Sequence, residues 1–398
     1  MNFNLHQILN HLDSNFADSI QFESTHYNNE VIDHPSVGSY DKHDSSFDAN
    51  DYGQNAIDHD QSHPPYDHPR FEIVKWLARG SFGEVWEGCD KKLHRKVAVK
   101  CFFGTHRDAM LAFKNETKYL QFLEHPGIPA VLDVSSDEVE YPYLVMQYID
   151  GITLRDIINQ LKQGDEETHK EFTFARRVDI IIQILRILSQ VHSDGIIHRD
   201  IKPANIMIGH TGEIYLMDWG LAIHYQRDDT SESINGTPLY MSPEQYLLEP
   251  ITPKSDLYAL AAVAYELLSL HTTVSKEGNV YSLAMSIIDG DFKQFSHVYN
   301  HHQGHAPSEF EVPIMQALAR EPSHRPSNAQ TMKVMLERAL AGYFQVICTR
   351  TRLKKAIFSF LRWIDHNPYK HVPLFYTLSG IIVILLLSMG IGIGYWIK

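Results

Sequence analysis

The run His198–Asn205 limits the possible folds of this chain more than any other segment. Asp218, thirteen residues further on, adds to this constraint. The run places a carboxylate at Asp200, an ammonium at Lys202 and a carboxamide at Asn205. A carboxylate can orient and deprotonate a hydroxyl, and an ammonium can neutralise charge on a moving phosphoryl group. The oxygens of Asn205 and Asp218 suit a hard metal ion. The fold must therefore bring Asp218 close to a loop that contains Asp200.

A glycine-rich segment and a lysine lie upstream of that run. Ala78–Val85 contains Gly80 and Gly83 between two predicted strands. Glycines allow backbone N–H groups to approach phosphates without an intervening Cβ. A dinucleotide-binding fold would need a helix directly after the glycines, whereas residues 85–88 have a strand pattern. Lys100 follows the alternating segment Val97–Val99, which also predicts a strand.

This ordered set of motifs resembles the protein kinase family, and within it the serine/threonine kinases of bacterial type. The resemblance implies an α+β, bilobal protein kinase fold with a β-rich N-lobe and a helical C-lobe. It implies that ATP and Mg²⁺ bind in the cleft, with Mn²⁺ as an alternative cation, and that proteins are the substrates. It covers residues 70–341, which we predict to be the kinase domain. Ala78 stands where the family pattern has Gly, and Ser242 where it has Ala.

The resemblance also assigns roles to individual residues. Lys100 should contact the α- and β-phosphates and pair with Glu116, and Asp200 should accept the proton of the substrate hydroxyl. Lys202 is typical of serine/threonine rather than tyrosine specificity. Asn205 and Asp218 should be the metal ligands. The residues expected to contact ATP, several of which could equally be core residues, are Leu77, Gly80, Gly83, Val85, Ala98, Lys100, Met146, Gln147, Ile149 and Met207.

Further positions resemble structural and regulatory elements of kinases. His198 is expected to be a structural residue rather than a base. The segment Gly236–Glu244 resembles the loop that receives the substrate, and Glu244 should pair with Arg325, while Asp256 should be a second buried anchor. In the family, an arginine beside the catalytic Asp often needs a phosphate as its counter-charge, and Arg199 lies beside Asp200 in this way. We therefore predict autophosphorylation in the activation loop, where the candidate residues are Thr230, Ser231 and Ser233; Thr237 could instead position the substrate.

The first 69 residues differ in composition from the rest of the chain. Of the formal net charge of −14, −10 comes from residues 1–70, in which twelve acidic residues are opposed only by Lys42 and Arg70. Past the first twenty residues the segment lacks a sustained apolar period, so we predict a mostly disordered acidic, His-rich tail. Such an acidic chain is not expected to bind nucleic acid. Three unpaired cysteines favour a reducing compartment.

The C-terminal residues predict a membrane anchor. Residues 342–372 are basic, and the uncharged run Pro373–Ile397 would be about 37 Å long as a helix, enough to cross a hydrocarbon core of about 30 Å. The alternative is a buried core helix. The positions of the basic residues predict a single-pass, tail-anchored protein with a cytoplasmic kinase domain. Phe358, Leu361 and Trp363 are expected to lie on anionic lipid, and Gly390 with Gly394 predicts a homodimer.

Three functions remain open from the sequence. The first is an active serine/threonine protein kinase that phosphorylates itself, and the second is a kinase-like nucleotide-binding scaffold without catalysis. The third is a kinase for a small molecule. The polar segment Gln160–Lys170 is predicted to be a loop, and the histidines between 297 and 305 are interpreted as loop residues or metal ligands.

Overall fold

The computed structural model describes residues 68–80, 83–102, 106–136, 141–227, 236–274 and 280–366. The first element of this part is a five-stranded antiparallel sheet. The strand order is β1-β2-β3-β5-β4. The strands are β1 (Phe71–Gly80), β2 (Gly83–Asp90), β3 (Arg95–Phe102), β4 (Val131–Val134) and β5 (Tyr143–Gln147). Helix α1 (His106–Leu120) follows β3 and contacts it.

The alternation of side chains along β3 determines which way Lys100 faces. Val97, Val99 and Cys101 are buried in one cluster on one side of the sheet. Ala98 and Phe102 belong to the other cluster, together with residues of α1. Because side chains alternate along a strand, Lys100 lies on the same side as Ala98 and Phe102. The sequence of β3 thus directs the lysine toward α1.

Helices dominate the second part of the chain. The central α6 is apolar almost all round and almost entirely buried, as expected for the core helix of a large domain. The helices are α2 (Leu154–Gln163), α3 (Glu166–Glu171), α4 (Phe174–Ser193), α5 (Pro243–Tyr246), α6 (Pro253–Ser269), α7 (Val280–Asp289), α8 (Glu311–Ala317), α9 (Ala329–Leu340) and α10 (Thr349–His366).

Small sheets at the start of the helical part bring two loops together. A three-stranded sheet has the order β6 (Gly151–Thr153), β8 (Ile206–Gly209) and β9 (Ile214–Leu216). Strand β7 (Ile196–Ile197) pairs with β10 (Ile223–His224), and β11 (Tyr299–Asn300) pairs with β12 (Gly304–His305). The loop from β7 to β8 contains Asp200, and the loop from β9 to β10 contains Asp218. Because β7 pairs with β10 and β8 with β9, the two loops must lie side by side.

The predicted bilobal arrangement is confirmed, as are the strands predicted around the glycine-rich segment and at Val97–Val99. The prediction that Gln160–Lys170 is a loop is wrong, because α2 and α3 occupy most of it. Gly164 ends α2 in a left-handed conformation (φ +81°), and the Asp165 side chain caps α3 by accepting a hydrogen bond from Thr168 N.

Several predicted features lie outside the described residues. These are the acidic tail up to residue 67, the candidate phosphorylation sites Thr230, Ser231 and Ser233, and the uncharged run Pro373–Ile397. Among the helices of the described ranges, none combines the length and apolar composition that crossing a bilayer requires.

Candidate active site

Asp200 lies at the centre of a network of hydrogen bonds in the loop between β7 and β8. Its Oδ1 accepts hydrogen bonds from Thr237 N at 2.8 Å and Thr237 Oγ1 at 2.7 Å. Its Oδ2 lies 3.0 Å from Lys202 Nζ and 3.1 Å from Asn205 Nδ2. Lys202 Nζ also donates to Thr237 Oγ1 at 2.8 Å. Only an ionised carboxylate can accept from this many donors, so the loop holds Asp200 as an oriented anion next to a hydroxyl.

Lys100 connects the sheet to the second loop. Its Nζ lies 2.6 Å from Glu116 Oε2 and 2.8 Å from Asp218 Oδ1. Burial disfavours the ammonium, but the charges of Asp218 and Glu116 outweigh this and raise the pKa of Lys100. Burial also acts on the carboxyls: it raises the pKa of Glu116 to about 6. At Asp218 the Lys100 charge overcomes burial and lowers the pKa to about 2. Lys100 and Asp218 are therefore charged near neutral pH, and Glu116 is the member of the three that can lose its charge.

The backbone around Asp218 holds its side chain toward Lys100. Asp218 has a φ of +59°, a left-handed conformation that is uncommon for a residue other than glycine. His198 Nε2 lies 2.9 Å from the Met217 carbonyl oxygen, and the His198 ring packs edge-on against Trp219, with centroids 4.5 Å apart. Trp219 Nε1 donates to the Leu216 carbonyl. His198 thus links the two loops and makes no contact with the Asp200 carboxylate.

A buried carboxylate fixes the start of the Asp200 loop. Asp256 in α6 accepts hydrogen bonds from the backbone N–H of His198 at 2.9 Å and of Arg199 at 3.0 Å, and from His192 Nε2 at 2.8 Å. Burial raises the carboxyl pKa, but the hydrogen bond and charge of His192 outweigh this, so the net pKa of Asp256 is lowered. Arg199 has a φ of +71°, and the two bonds to Asp256 stabilise this strained turn just before Asp200.

A buried ion pair connects the segment Gly236–Glu244 to the rest of the helical part. Glu244 in α5 receives two hydrogen bonds from Arg325, at 2.6 and 2.7 Å. Burial disfavours the carboxylate, but Arg325 more than compensates, and the pKa of Glu244 is lowered. The remaining Arg325 donors bond to the backbone carbonyls of Ala319, Lys254 and Arg320. All five N–H groups of the guanidinium are therefore satisfied.

The residues predicted to contact ATP lie in β1, β2, β3, β5 and β8, or directly after β5. Ala98 pairs in register with Met146, and Val85 with Lys100. Gly80 pairs with Gly83 at the end of the β1–β2 hairpin, where a Cβ on Gly83 would overlap the Cys101 carbonyl. Residues 81 and 82, between the two glycines, lie outside the described ranges. The other predicted positions are buried or half-buried: Leu77, Gln147, Ile149 and Met207.

Two side-chain oxygens of the site fit a hard cation. Asn205 uses its Nδ2 to donate to the carbonyl and carboxylate of Asp200. Its Oδ1, like Asp218 Oδ2, accepts no hydrogen bond from another residue of the described ranges. An amide oxygen and a carboxylate oxygen are donors that suit Mg²⁺. Elsewhere in these ranges, no group of three His, Cys, Asp or Glu residues could hold a metal ion, and this includes the histidines between 297 and 305.

The sequence analysis missed a second buried carboxylate, Glu266 of α6. It accepts a hydrogen bond from Tyr240 Oη at 2.6 Å and lies 3.0 Å from Arg155 Nη1 and 2.7 Å from Lys162 Nζ. Burial would raise its pKa, but the two cations lower it to about 2. The network joins α2, α6 and the turn that follows Thr237. The available signal was a single acidic residue in the apolar stretch 257–268, because a buried charge requires a partner.

The structure thus brings together the six residues predicted to be catalytic or metal-binding: Lys100, Glu116, Asp200, Lys202, Asn205 and Asp218. Lys100, Glu116 and Asp218 form one cluster, and Asp200, Lys202 and Asn205 form the other. Of the four predicted activation-loop residues, Thr237 contacts Asp200, and the other three lie outside the described ranges.

Comparisons with known proteins agree with this geometry. The protein kinase domain family matches residues 71–336. Serine/threonine-protein kinase PknB of Mycobacterium tuberculosis is 32% identical over 283 residues, which cover 69% of this chain and 43% of that protein. PknB of Mycolicibacterium smegmatis is 34% identical over 285 residues, with coverages of 69% and 43%. Serine/threonine-protein kinase PknD of Chlamydia caviae is 30% identical over 299 residues, with coverages of 69% and 31%.

The alignments therefore span less than half the length of these curated relatives. The family match at residues 71–336 includes both loops of the site as well as the sheet that carries Lys100. On this match, the chain belongs to the protein kinase family.

Proposed function

We propose that the protein transfers the γ-phosphoryl group of ATP to serine or threonine hydroxyls of protein substrates. One observation carries the proposal: the Asp200 carboxylate is hydrogen-bonded to a threonine hydroxyl that Lys202 also contacts. Thr237 Oγ1 shows where an attacking hydroxyl could lie, with a base on one side and a cation on the other. The named relatives, which are serine/threonine kinases, support the same specificity.

The residues of the chain would divide the work between positioning and charge stabilisation. Asp200 would orient the substrate hydroxyl and accept its proton, and Lys202 would stabilise the negative charge of the phosphoryl group during transfer. Lys100, held by Glu116, would bind the α- and β-phosphates. Asn205 and Asp218 would hold Mg²⁺ or Mn²⁺, which neutralises phosphate charge when bound. In this arrangement the phosphoryl group would pass directly from ATP to the protein substrate, without a covalent enzyme intermediate.

Incubation of the full chain with γ-labelled ATP, Mg²⁺ and a protein acceptor tests the proposal. The proposal is supported if serine and threonine of the acceptor become labelled, and if this label disappears when a chelator is added and in the Lys100→Met variant. Retained nucleotide binding without label transfer would instead favour the kinase-like scaffold. Label that appears only in a small molecule would favour the third function, a small-molecule kinase.

We predict that activity falls on acidification through about pH 6, because Glu116 then becomes neutral and no longer holds Lys100. The sign follows from its pKa, which burial raises from 4.5 to about 6, so that the charge is lost at a higher pH than for an exposed glutamate. Glu116→Gln should lower kcat/KM at neutral pH by at least about tenfold and remove this acid limb. Profiles of kcat/KM against pH that have the same acid limb in both proteins would contradict the prediction.

We also propose that autophosphorylation at Thr230, Ser231 or Ser233 regulates the site. Arg199 supports this, since its guanidinium is next to Asp200 in the chain, and burial lowers its pKa. A nearby phosphate would stabilise the buried cation and order the loop. Phosphosite mapping of the wild-type protein and of Asp200→Asn should find these sites modified only in the active protein. Full activity of a wild-type protein that carries no phosphate would refute the regulation.

We further propose that the run Pro373–Ile397 attaches the protein to a membrane as a single span. Its 25 uncharged residues and the basic residues before it support this, and the basic residues on its N-terminal side favour a cytoplasmic kinase domain. Retention of the full chain in the membrane pellet after alkaline extraction tests the attachment. The small residues Gly390 and Gly394 suggest self-association in the span. The double variant Gly390→Ile/Gly394→Ile should reduce this association, and crosslinking measures it.

A further inference from the structure

Helix α10 is fixed to the helical part of the kinase domain along one of its faces. Four of the residues that make these contacts recur at positions i, i+3, i+7 and i+11, which lie on one side of a helix. Lys354 forms an ion pair with Glu309 at 2.7 Å. Thr351 is buried, Phe358 packs on Phe344 and over Gly342, and Arg362 donates to the Ala341 carbonyl. At the start of the helix, Arg350 donates to the Ser296 carbonyl at 2.6 Å.

The opposite face of α10 presents large apolar side chains to the outside. Leu353, Ile357, Phe360 and Leu361 recur at i, i+4, i+7 and i+8, and they are 65%, 50%, 46% and 49% exposed. The Phe360 ring stacks with that of Trp363, which is 40% exposed. An isolated amphipathic helix on a soluble domain would be expected to turn its apolar face inward. Here the apolar stripe lies on the side away from the domain.

Phe358 was expected on the lipid-facing side together with Leu361 and Trp363, and the structure corrects this. Phe358 is half-buried against Phe344, on the docked face. Its position seven residues after Thr351 places it there, because seven residues complete about two helical turns.

A cation borders the exposed apolar face on one side. The helix contains five Lys or Arg residues and a single acidic residue. Lys354 and Arg362 face the domain, and Lys355, seven residues before Arg362, lies on the same side although its side chain is exposed. Arg352 is exposed and lies on the side of Trp363, eleven residues later. Apolar side chains bordered by a cation match the boundary between acyl chains and anionic headgroups.

We propose that α10 lies parallel to a membrane surface, with Leu353, Ile357 and Phe360 at the acyl boundary and with Arg352 at anionic headgroups. The inference rests on the proposed membrane attachment, since α10 ends at His366, seven residues before the predicted span begins at Pro373. The contacts of α10 with Glu309 and Phe344 attach the helix to the kinase domain. The lipid surface would therefore hold the helical part of the domain in one orientation, so that substrates close to the membrane are presented to the site.

The charge distribution favours lipid over a second copy of the chain as the occupant of this face. A second α10 would bring the two copies of Arg352 together at the edge of the apolar face, which opposes close pairing. An anionic bilayer would instead neutralise these charges. The aromatic residues Phe360 and Trp363 also suit the interfacial region of a bilayer.

Site-specific photocrosslinking of the full chain tests the proposal. The probe p-benzoylphenylalanine is placed at Phe360, and the protein is reconstituted in vesicles of phosphatidylcholine with phosphatidylserine. The matched control carries the probe at Phe122, which is 72% exposed and lies outside α10. We expect lipid adducts at position 360 and few at position 122. Arg352→Gln should lower the adduct yield at 360 by about fivefold in these vesicles, but not in pure phosphatidylcholine, whereas Lys355→Gln, on the docked side of α10, should leave it unchanged.

Equal lipid labelling at positions 360 and 122 would overturn the proposal, as would crosslinks from 360 to a second protein chain. Alkaline extraction and label transfer from ATP are measured on the same samples. If the protein remains in the pellet and phosphorylates its substrate while position 360 is not labelled, the proposed function stands and the role of α10 fails. If label transfer from ATP is lost while lipid adducts still form at position 360, the role of α10 stands and the proposed function fails.

Discussion

Asp200→Asn is expected to lower kcat by about 10³-fold while leaving the fold intact. The carboxylate accepts hydrogen bonds from Thr237 and Asn205 and pairs with Lys202. An amide in its place can accept with only one of its two polar atoms, and it cannot take the proton of a substrate hydroxyl. Steady-state kinetics with a protein acceptor measure the loss, and circular dichroism checks the fold.

A matched control is Asp194→Asn. Asp194 is exposed and follows α4, only six residues before Asp200 in the chain, so that its substitution removes the same charge outside the site. We expect its kcat to equal that of the wild type. A similar loss in both variants would mean that the reduction comes from net charge or folding, and would count against Asp200 as the base.

The largest expected effect on stability belongs to the buried pair of Arg325 and Glu244. Arg325→Leu should lower the free energy of unfolding by about 4 kcal/mol, because among the residues that the structure describes it leaves the buried Glu244 carboxylate with only the hydroxyl of Ser255 as a side-chain partner. For a domain of this size the unfolding midpoint should fall by about 10 °C. Thermal unfolding followed by circular dichroism measures the shift.

Two further variants separate the pair from the loss of a side chain. Glu244→Gln/Arg325→Leu should recover part of the stability, because the uncompensated charge is gone. Arg320→Leu removes an exposed arginine whose contact with Glu321 is 3.9 Å long, and it should change the free energy of unfolding by less than about 0.5 kcal/mol. A double variant that is no more stable than Arg325→Leu would show that packing, rather than charge, sets the cost.

Local sequence patterns predicted the strands around the glycine-rich segment and Lys100, because side-chain periodicity depends on the chain itself. The alternation in β3 is such a pattern. The segment around Gly164 was mispredicted as a loop, because its polar residues contain the end of α2 at Gly164 and the cap of α3 at Asp165. Phe358 was placed on the wrong face of α10 because its packing on Phe344 depends on how the chain turns between the two residues, which helical spacing does not give.

The identity and order of the site residues could be read from the sequence, since Lys100, Glu116, Asp200, Lys202, Asn205 and Asp218 lie in motifs whose spacing is local. Their meeting depends on contacts between distant segments, such as the 2.8 Å pair of Lys100 with Asp218 across 118 positions. The same holds for Glu266, whose charge is stabilised by Arg155 and Lys162, both more than one hundred positions away. Hydrophobic period and motif spacing act along the chain, whereas the stabilisation of a buried charge is decided only when tertiary folding brings its partners within reach.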